Sequence, residues 1–186
     1  MINLEKKIGS GRHRDCYYHP QDASKCIKIL YNPADGGLKE VKRETSYYKK
    51  RSRQIRQCRS VPDYYGKVNT DRGEGYVFDL IRDYDGEVSK TLEYYLKKHE
   101  ISQGLLENKL YDLRNDLIAH NIATMNLKDY NILYRKTGRN EGYLVVIDNI
   151  GESEFFPVAS LFNFLHRRKI DRIFSRFFSR LDLREI

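Results

Sequence analysis

A chain of 186 residues, 40% hydrophobic and 32% charged, has the length and balance of one globular domain or one domain in two small lobes, and its formal charge of +8 favours anionic partners: nucleotide phosphates, nucleic acid or a membrane surface. No apolar run approaches the roughly 18 residues of a membrane span, and residues 1–8 lack the apolar core of a secretory leader. The cysteines, Cys16, Cys26 and Cys58, are odd in number and fit no metal-ligand spacing, which argues against structural disulfides and zinc and for a reducing, cytoplasmic setting.

Residues 2–31 read as a meander of three strands. Residues 2–8 alternate, Gly9-Ser10-Gly11 is a break, Cys16-Tyr17-Tyr18 resumes the extended pattern, and residues 25–31 form a buried strand with an embedded lysine. After Asp35-Gly36-Gly37, the spacing of Leu38, Val41, Thr45 and Tyr48 predicts a helix with one inward stripe. Residues 54–62 read as a loop ending near Pro62. Residues 64–69 and 76–81 read as strands around Asp71-Arg72-Gly73, so the first half is β-β-β-α-β-β.

The connector Asp83-Tyr84-Asp85-Gly86 divides this half from a mostly helical one. A helix over 91–98 places Leu92, Tyr95 and Leu96 on one face. A longer helix over about 102–120 carries Leu106, Leu110, Leu113 and Leu117 as an amphipathic stripe. A loop (124–130), a short strand (131–135), the turn 136–140 and an apolar strand (143–147) ending in Asp148 follow. From about 158 the chain reads as helix again, with no internal repeats.

Four features in order carry chemistry. Gly9-Ser10-Gly11 suits close backbone approach to phosphates, although taken alone such a triplet is more often a plain hairpin turn. Lys28 stands in an apolar strand, opposite in face to Ile27 and Ile29, where an ammonium needs an anion unless that face is solvated. Glu44, on the following helix between Val41 and Tyr48, can reach back to the sheet, with Glu40 in reserve one turn earlier. Asn131, within Asn126-Leu127-Lys128-Asp129-Tyr130-Asn131-Ile132-Leu133, and Asp148, before Asn149-Ile150-Gly151, offer the hard oxygen donors that Mg²⁺ prefers.

This order of glycine loop, strand lysine, helix glutamate, L-K-x-x-N-I-L and strand-ending aspartate resembles the protein-kinase-like superfamily over about residues 8–152. The resemblance implies an α+β kinase-like fold. Its N-lobe (1–82) would hold about five antiparallel strands and one helix, followed by a hinge (83–87) and a minimal, mostly helical C-lobe (88–186). It further implies ATP and Mg²⁺ as cofactors. Gly9 and Gly11 would cover the phosphates, Lys28 would contact them while paired with Glu44, and Asp83 would lie at the hinge beside the adenine. Asn131 and Asp148 would bind Mg²⁺, and Lys128 would stand near the transferred phosphoryl group. A closer resemblance spans nearly the whole chain. Arg12-His13-Arg14, Cys26-Ile27-Lys28-Ile29, Gly36-Gly37-x-Lys39-Glu40, Thr124-Met125-x-Leu127-Lys128 and Asp148-Asn149-Ile150-Gly151-Glu152-Ser153 are similar to the YrbL family of PhoP regulatory network proteins. That implies a bacterial cytoplasmic protein tied to an envelope-stress or Mg²⁺-sensing response, and no particular reaction.

The kinase pattern breaks where the base would stand. Thr124-Met125-Asn126 replaces H-R-D, and the Asn126 carboxamide cannot take a proton at neutral pH. Asp148-Asn149-Ile150-Gly151 is one residue longer than D-F-G, and 35 residues follow Gly151, too few for an activation segment and peptide platform. A general base contributes roughly 10²–10⁴-fold, so its loss leaves three readings open: an unusual phosphotransferase, a nucleotidyl transferase or a nucleotide-binding pseudokinase. The acceptor would be an unknown protein or small molecule. Arg167, Arg168, Lys169, Arg172, Arg176 and Arg180, interleaved with Ile173, Phe174, Phe177 and Phe178, read as a helix packed on the core in preference to a nucleic-acid or lipid contact. Cys16 reads as a small strand residue near the glycine loop, and the five histidines form no spaced metal set.

Overall fold

Period-two alternation in the first half of the chain is realised as one antiparallel sheet. The computed structural model describes residues 1–33, 36–152 and 163–182. Strands β1 (Lys7–Ser10), β2 (Arg14–Tyr18), β3 (Lys25–Leu30), β4 (Tyr64–Thr70) and β5 (Gly73–Asp79) pair in the order β1-β2-β3-β5-β4. The first strand begins at Lys7, later than the alternation of residues 2–8 suggests, and it continues through Gly9 and Ser10. Residues 2–4 instead lie along the sheet: Ile2 N–H donates to Asn69 O at 2.8 Å, and Leu4 N–H donates to Asp71 Oδ1 at 2.9 Å. They cover one face of the sheet, where Leu4, Tyr17, Ile27, Ile29 and Val77 form a small cluster. Close packing on that face explains Gly75, because a Cβ there would lie 2.5 Å from Ile27 Cγ2.

The opposite face supplies Cys26, Tyr76 and Phe78 to the main core, against helix α1 (Gly37–Lys50). Val41, Glu44, Thr45, Tyr47 and Tyr48 are buried on α1, whereas Leu38 is 41% exposed and outside the stripe. A second helix, α2 (Ser52–Gln57), occupies the start of the segment read as loop. It has one buried residue, Ile55, so its polar and basic sequence offered no apolar periodicity to read.

Beyond the connector, β6 (Lys90–Thr91), β7 (Ile132–Lys136) and β8 (Gly142–Val146) form a second, three-stranded sheet. Thr91 Oγ1 caps α3 (Leu92–Lys98), and Ser102 caps α4 (Gln103–Ala119), each accepting a backbone N–H of the first turn. All four leucines of the α4 stripe are buried, and they meet Ile170, Ile173, Phe174 and Phe177 of α5 (Asn163–Asp182) in the main core. The basic C-terminal helix is thus a core helix, with Arg167, Arg168, Arg172 and Arg176 on its exposed side and Arg180 donating from Nη2 to Leu127 O at 2.6 Å. The start expected for it near 158 falls outside the described residues. The class is α+β, and no described helix is long and apolar enough to cross a membrane.

Candidate functional site

Register decides which side chains face the second sheet. Cys16 pairs with Lys28 across β2 and β3, so Arg14, Cys16 and Lys28 share one face. Arg14 lies two residues from Cys16 and projects to the core side of the sheet. Its guanidinium donates from Nη1 to Glu44 Oε2 and from Nη2 to Asp148 Oδ1. One planar fork therefore links strand β2, helix α1 and the residues after β8. Burial works against the charge on Arg14, but Glu44 and Asp148 outweigh it and raise its pKa further above the ordinary arginine value. Burial likewise favours a protonated Asp148. Arg14, Lys28 and the Asn149 N–H outweigh it and hold this carboxyl below the usual carboxylate range.

Arg14 takes the place expected of Lys28. The Lys28 ammonium donates to the carbonyl of Ile147 at 2.6 Å and lies 4.7 Å from the Phe78 ring centroid, while Glu44 pairs with Arg14. The difference is geometric: a forked, permanently charged group can hold two carboxylates at once, and a single ammonium cannot do so with the same directionality. Lys28 remains beside the site and contributes to the low pKa of Asp148. Glu40 is exposed in the first turn of α1.

The second sheet delivers the oxygen donors. β7 and β8 pair Ile132 with Val146, and Ile147 N–H donates to Asn131 O at 3.0 Å, so Asn131 and Asp148 stand at the same end of the hairpin. The peptide after Asp148 turns sharply: Asn149 has φ of 62° and donates its N–H to Asp148 Oδ1 at 2.9 Å. Asn126 is exposed, and its carbonyl accepts from Thr124 Oγ1 at 3.0 Å. Lys128 is half-buried, with Nζ 5.3 Å from the Tyr130 ring centroid.

Gly9 lies within β1 opposite Cys16, and a Cβ there would meet nothing within 4 Å, so packing in this structure does not require glycine. Gly11 N–H donates to Arg14 O at 2.8 Å, closing the turn that aims Arg14. Asp83 is engaged locally. Its Oδ1 accepts from Ser89 Oγ and from Lys136 N–H, which binds the connector to the second sheet. The central residue, Arg14, is missing from the sequence-based set of contacts. The clue to it is the strand alternation that also placed Lys28, carried one strand back. Tyr48 is a second addition: its hydroxyl is buried near Glu44 and Asp148 and has no hydrogen-bond partner among the described residues.

The family model for the PhoP regulatory network protein YrbL matches residues 2–182, a span that includes every residue of this site. The chain belongs to the YrbL family. YrbL of Escherichia coli (strain K12) is 42% identical over 181 residues, covering 95% of this chain and 86% of that relative. YrbL of Shigella flexneri matches with the same identity and the same coverage. Arg14, Lys28, Glu44, Asn131 and Asp148 are thus features of a YrbL-family chain aligned almost end to end with its relatives.

Proposed function

We propose that this YrbL-family chain binds a nucleoside triphosphate with Mg²⁺ between its two sheets, as a kinase-like protein with impaired or unusual phosphoryl transfer. The observation that carries the reading is the bridge from Arg14 to Glu44 and Asp148, flanked by Lys28 and Asn131. Two cations and two carboxylates converge where a five-stranded sheet meets a short hairpin end. The donors suit the metal. Asn131 and the 38% exposed Asp148 offer adjacent hard oxygen ligands, and Mg²⁺ keeps waters for its remaining positions. Bound there, Mg²⁺ would neutralise phosphate charge. Lys28 and Arg14 would orient the phosphates, Gly9 and Gly11 would leave room for them, and the orphaned Tyr48 hydroxyl would gain a partner. ATP is the natural probe.

Two observations favour a regulatory role over brisk catalysis. Asn126, at the position of the missing base, supplies no proton acceptor, and Arg14 already occupies the carboxylate that a metal would use. Nucleotide and metal must therefore compete with an internal cation, so binding rearranges the Arg14 bridge. Such a rearrangement is the kind of change a binding module in a PhoP-linked stress response would transmit, whether to a protein or to a small-molecule acceptor.

Thermal unfolding with and without ATP and Mg²⁺ tests the binding step. A ligand at 100 times its Kd should stabilise the fold by about 2.7 kcal/mol, and Lys28→Ala and Asp148→Ala should abolish the shift. No shift at millimolar ATP would sink the proposal. Labelled ATP then separates the two roles: turnover that appears only in Asn126→Asp marks a pseudokinase, and turnover in wild type that Asp148→Ala removes marks a transferase.

A further inference from the structure

Away from that cleft, Cys58, Asp116 and His120 bring three different metal-ligating groups together, with their ligand atoms all within 4.8 Å of one another. Asp116 and His120 are four residues apart, in the last turn of α4 and at its C-cap, which brings both to the same side. Cys58 arrives from the segment joining α2 to β4. Its Sγ lies 3.3 Å from Asp116 Oδ2, and His120 Nδ1 lies 3.0 Å from Asp116 Oδ1. Ser60 N–H donates to Asp116 Oδ2 at 3.0 Å and holds the carboxylate in place. The cluster is shielded, with Cys58 3% exposed and the side chains of Asp116 and His120 at 14% and 27%.

We propose that Cys58, Asp116 and His120 form a site for a thiophilic divalent cation, best suited to Zn²⁺, that clamps the α2–β4 connection onto helix α4. Bonds of about 2.0–2.3 Å at tetrahedral angles put ligand atoms roughly 3.3–3.8 Å apart, so the cluster needs only small side-chain adjustments to close on a metal. Sulfur and imidazole select zinc over magnesium, which takes oxygen ligands. The thiol proton leaves as Cys58 becomes a thiolate ligand, and the neutral imidazole binds through whichever ring nitrogen faces the metal. Three protein ligands leave a fourth position for water or a small ligand. The linear spacing of the cysteines hides this site, because two of its ligands are an aspartate and a histidine on a helix far along the chain.

The test uses Co²⁺ as a spectroscopic stand-in, followed by Zn²⁺ competition on the full chain. The expected result is one Co²⁺ per chain with a thiolate-to-cobalt charge-transfer band, which Zn²⁺ displaces. Cys58→Ser should lose the band, and a Cys16→Ser, Cys26→Ser double variant should keep it. His120→Ala and Asp116→Asn should weaken affinity by roughly 100-fold or more, since loss of an outer-shell partner alone costs 10–100-fold. Circular dichroism of each metal-free variant checks folding. If Cys58→Ser does not fold, the partly exposed His120→Ala decides, and unchanged affinity there overturns the proposal. Absence of the band in wild type, or a band that survives Cys58→Ser, overturns it as well.

Discussion

Arg14 concentrates the electrostatics of the molecule in one side chain. Glu44 is 5% exposed, so removing its cation leaves a buried charge without its ion-pair partner. Arg14→Ala should therefore cost about 3–5 kcal/mol, read as a lower urea midpoint at unchanged slope. A loss below about 1 kcal/mol would show that water screens the pair. Tyr48 gives the opposite pattern. Its hydroxyl has no partner to lose among the described residues, so Tyr48→Phe should change ligand-free stability by less than about 1 kcal/mol. The same change should reduce the melting shift produced by ATP and Mg²⁺, and an unaltered shift would remove Tyr48 from the nucleotide site. His166 sets an acid limit. Burial, aided by Arg51 and Lys169, lowers its pKa from the ordinary 6.5, against the pull of the Leu117 carbonyl and Glu152. The folded state therefore favours the neutral ring. Its stabilisation is present above about pH 6.5 and is lost as pH falls through the lower folded value. Melting temperature should drop as pH falls below about 6.5, and His166→Gln should flatten that drop.

Elements with a strong period were legible in the sequence. The leucine stripe of α4 was read correctly because four large residues at helical spacing have no other economical arrangement, and Leu113 and Leu117 are 1% and 0% exposed. Leu113→Ala should cost about 2–5 kcal/mol in chemical denaturation, and a smaller cost would mean that the core between α4 and α5 collapses around the gap. The same logic located Lys28 on the face opposite Ile27 and Ile29. It did not find α2, whose single inward residue, Ile55, makes no pattern. It also missed the Arg14 bridge and the Cys58–Asp116–His120 cluster. Both depend on contacts between residues far apart in the chain: 30 positions for Arg14 with Glu44, 134 for Arg14 with Asp148 and 58 for Cys58 with Asp116. Local chemistry supplied the candidates Glu44, Asn131 and Asp148, and tertiary packing chose the cation that Glu44 and Asp148 face.

At the scale of the whole molecule, two sheets are joined through more than the connector around Asp83. The segment after α2 is bonded in both directions: Val146 N–H of β8 donates to Ser60 O at 2.9 Å, and Ser60 N–H donates to Asp116 of α4. The chain's beginning also matters to the first sheet, because Leu4 seals its second face at 2% exposure. Trimming residues 1–5 should expose Tyr17, Ile27 and Ile29 and lower the melting temperature, and a truncated chain melting with the wild type would contradict that role.

The double bonding of Ser60 has a mechanical consequence. A body attached to another at one point can swing in any direction, but one attached at two separated points turns only about the line between them. The connector near Asp83 and the peptide at Ser60 are two such points. With the Lys28–Ile147 and Arg14–Asp148 bonds and an apolar core common to both halves, these attachments brace the two sheets against swinging apart, like a door held at its frame as well as at its pins.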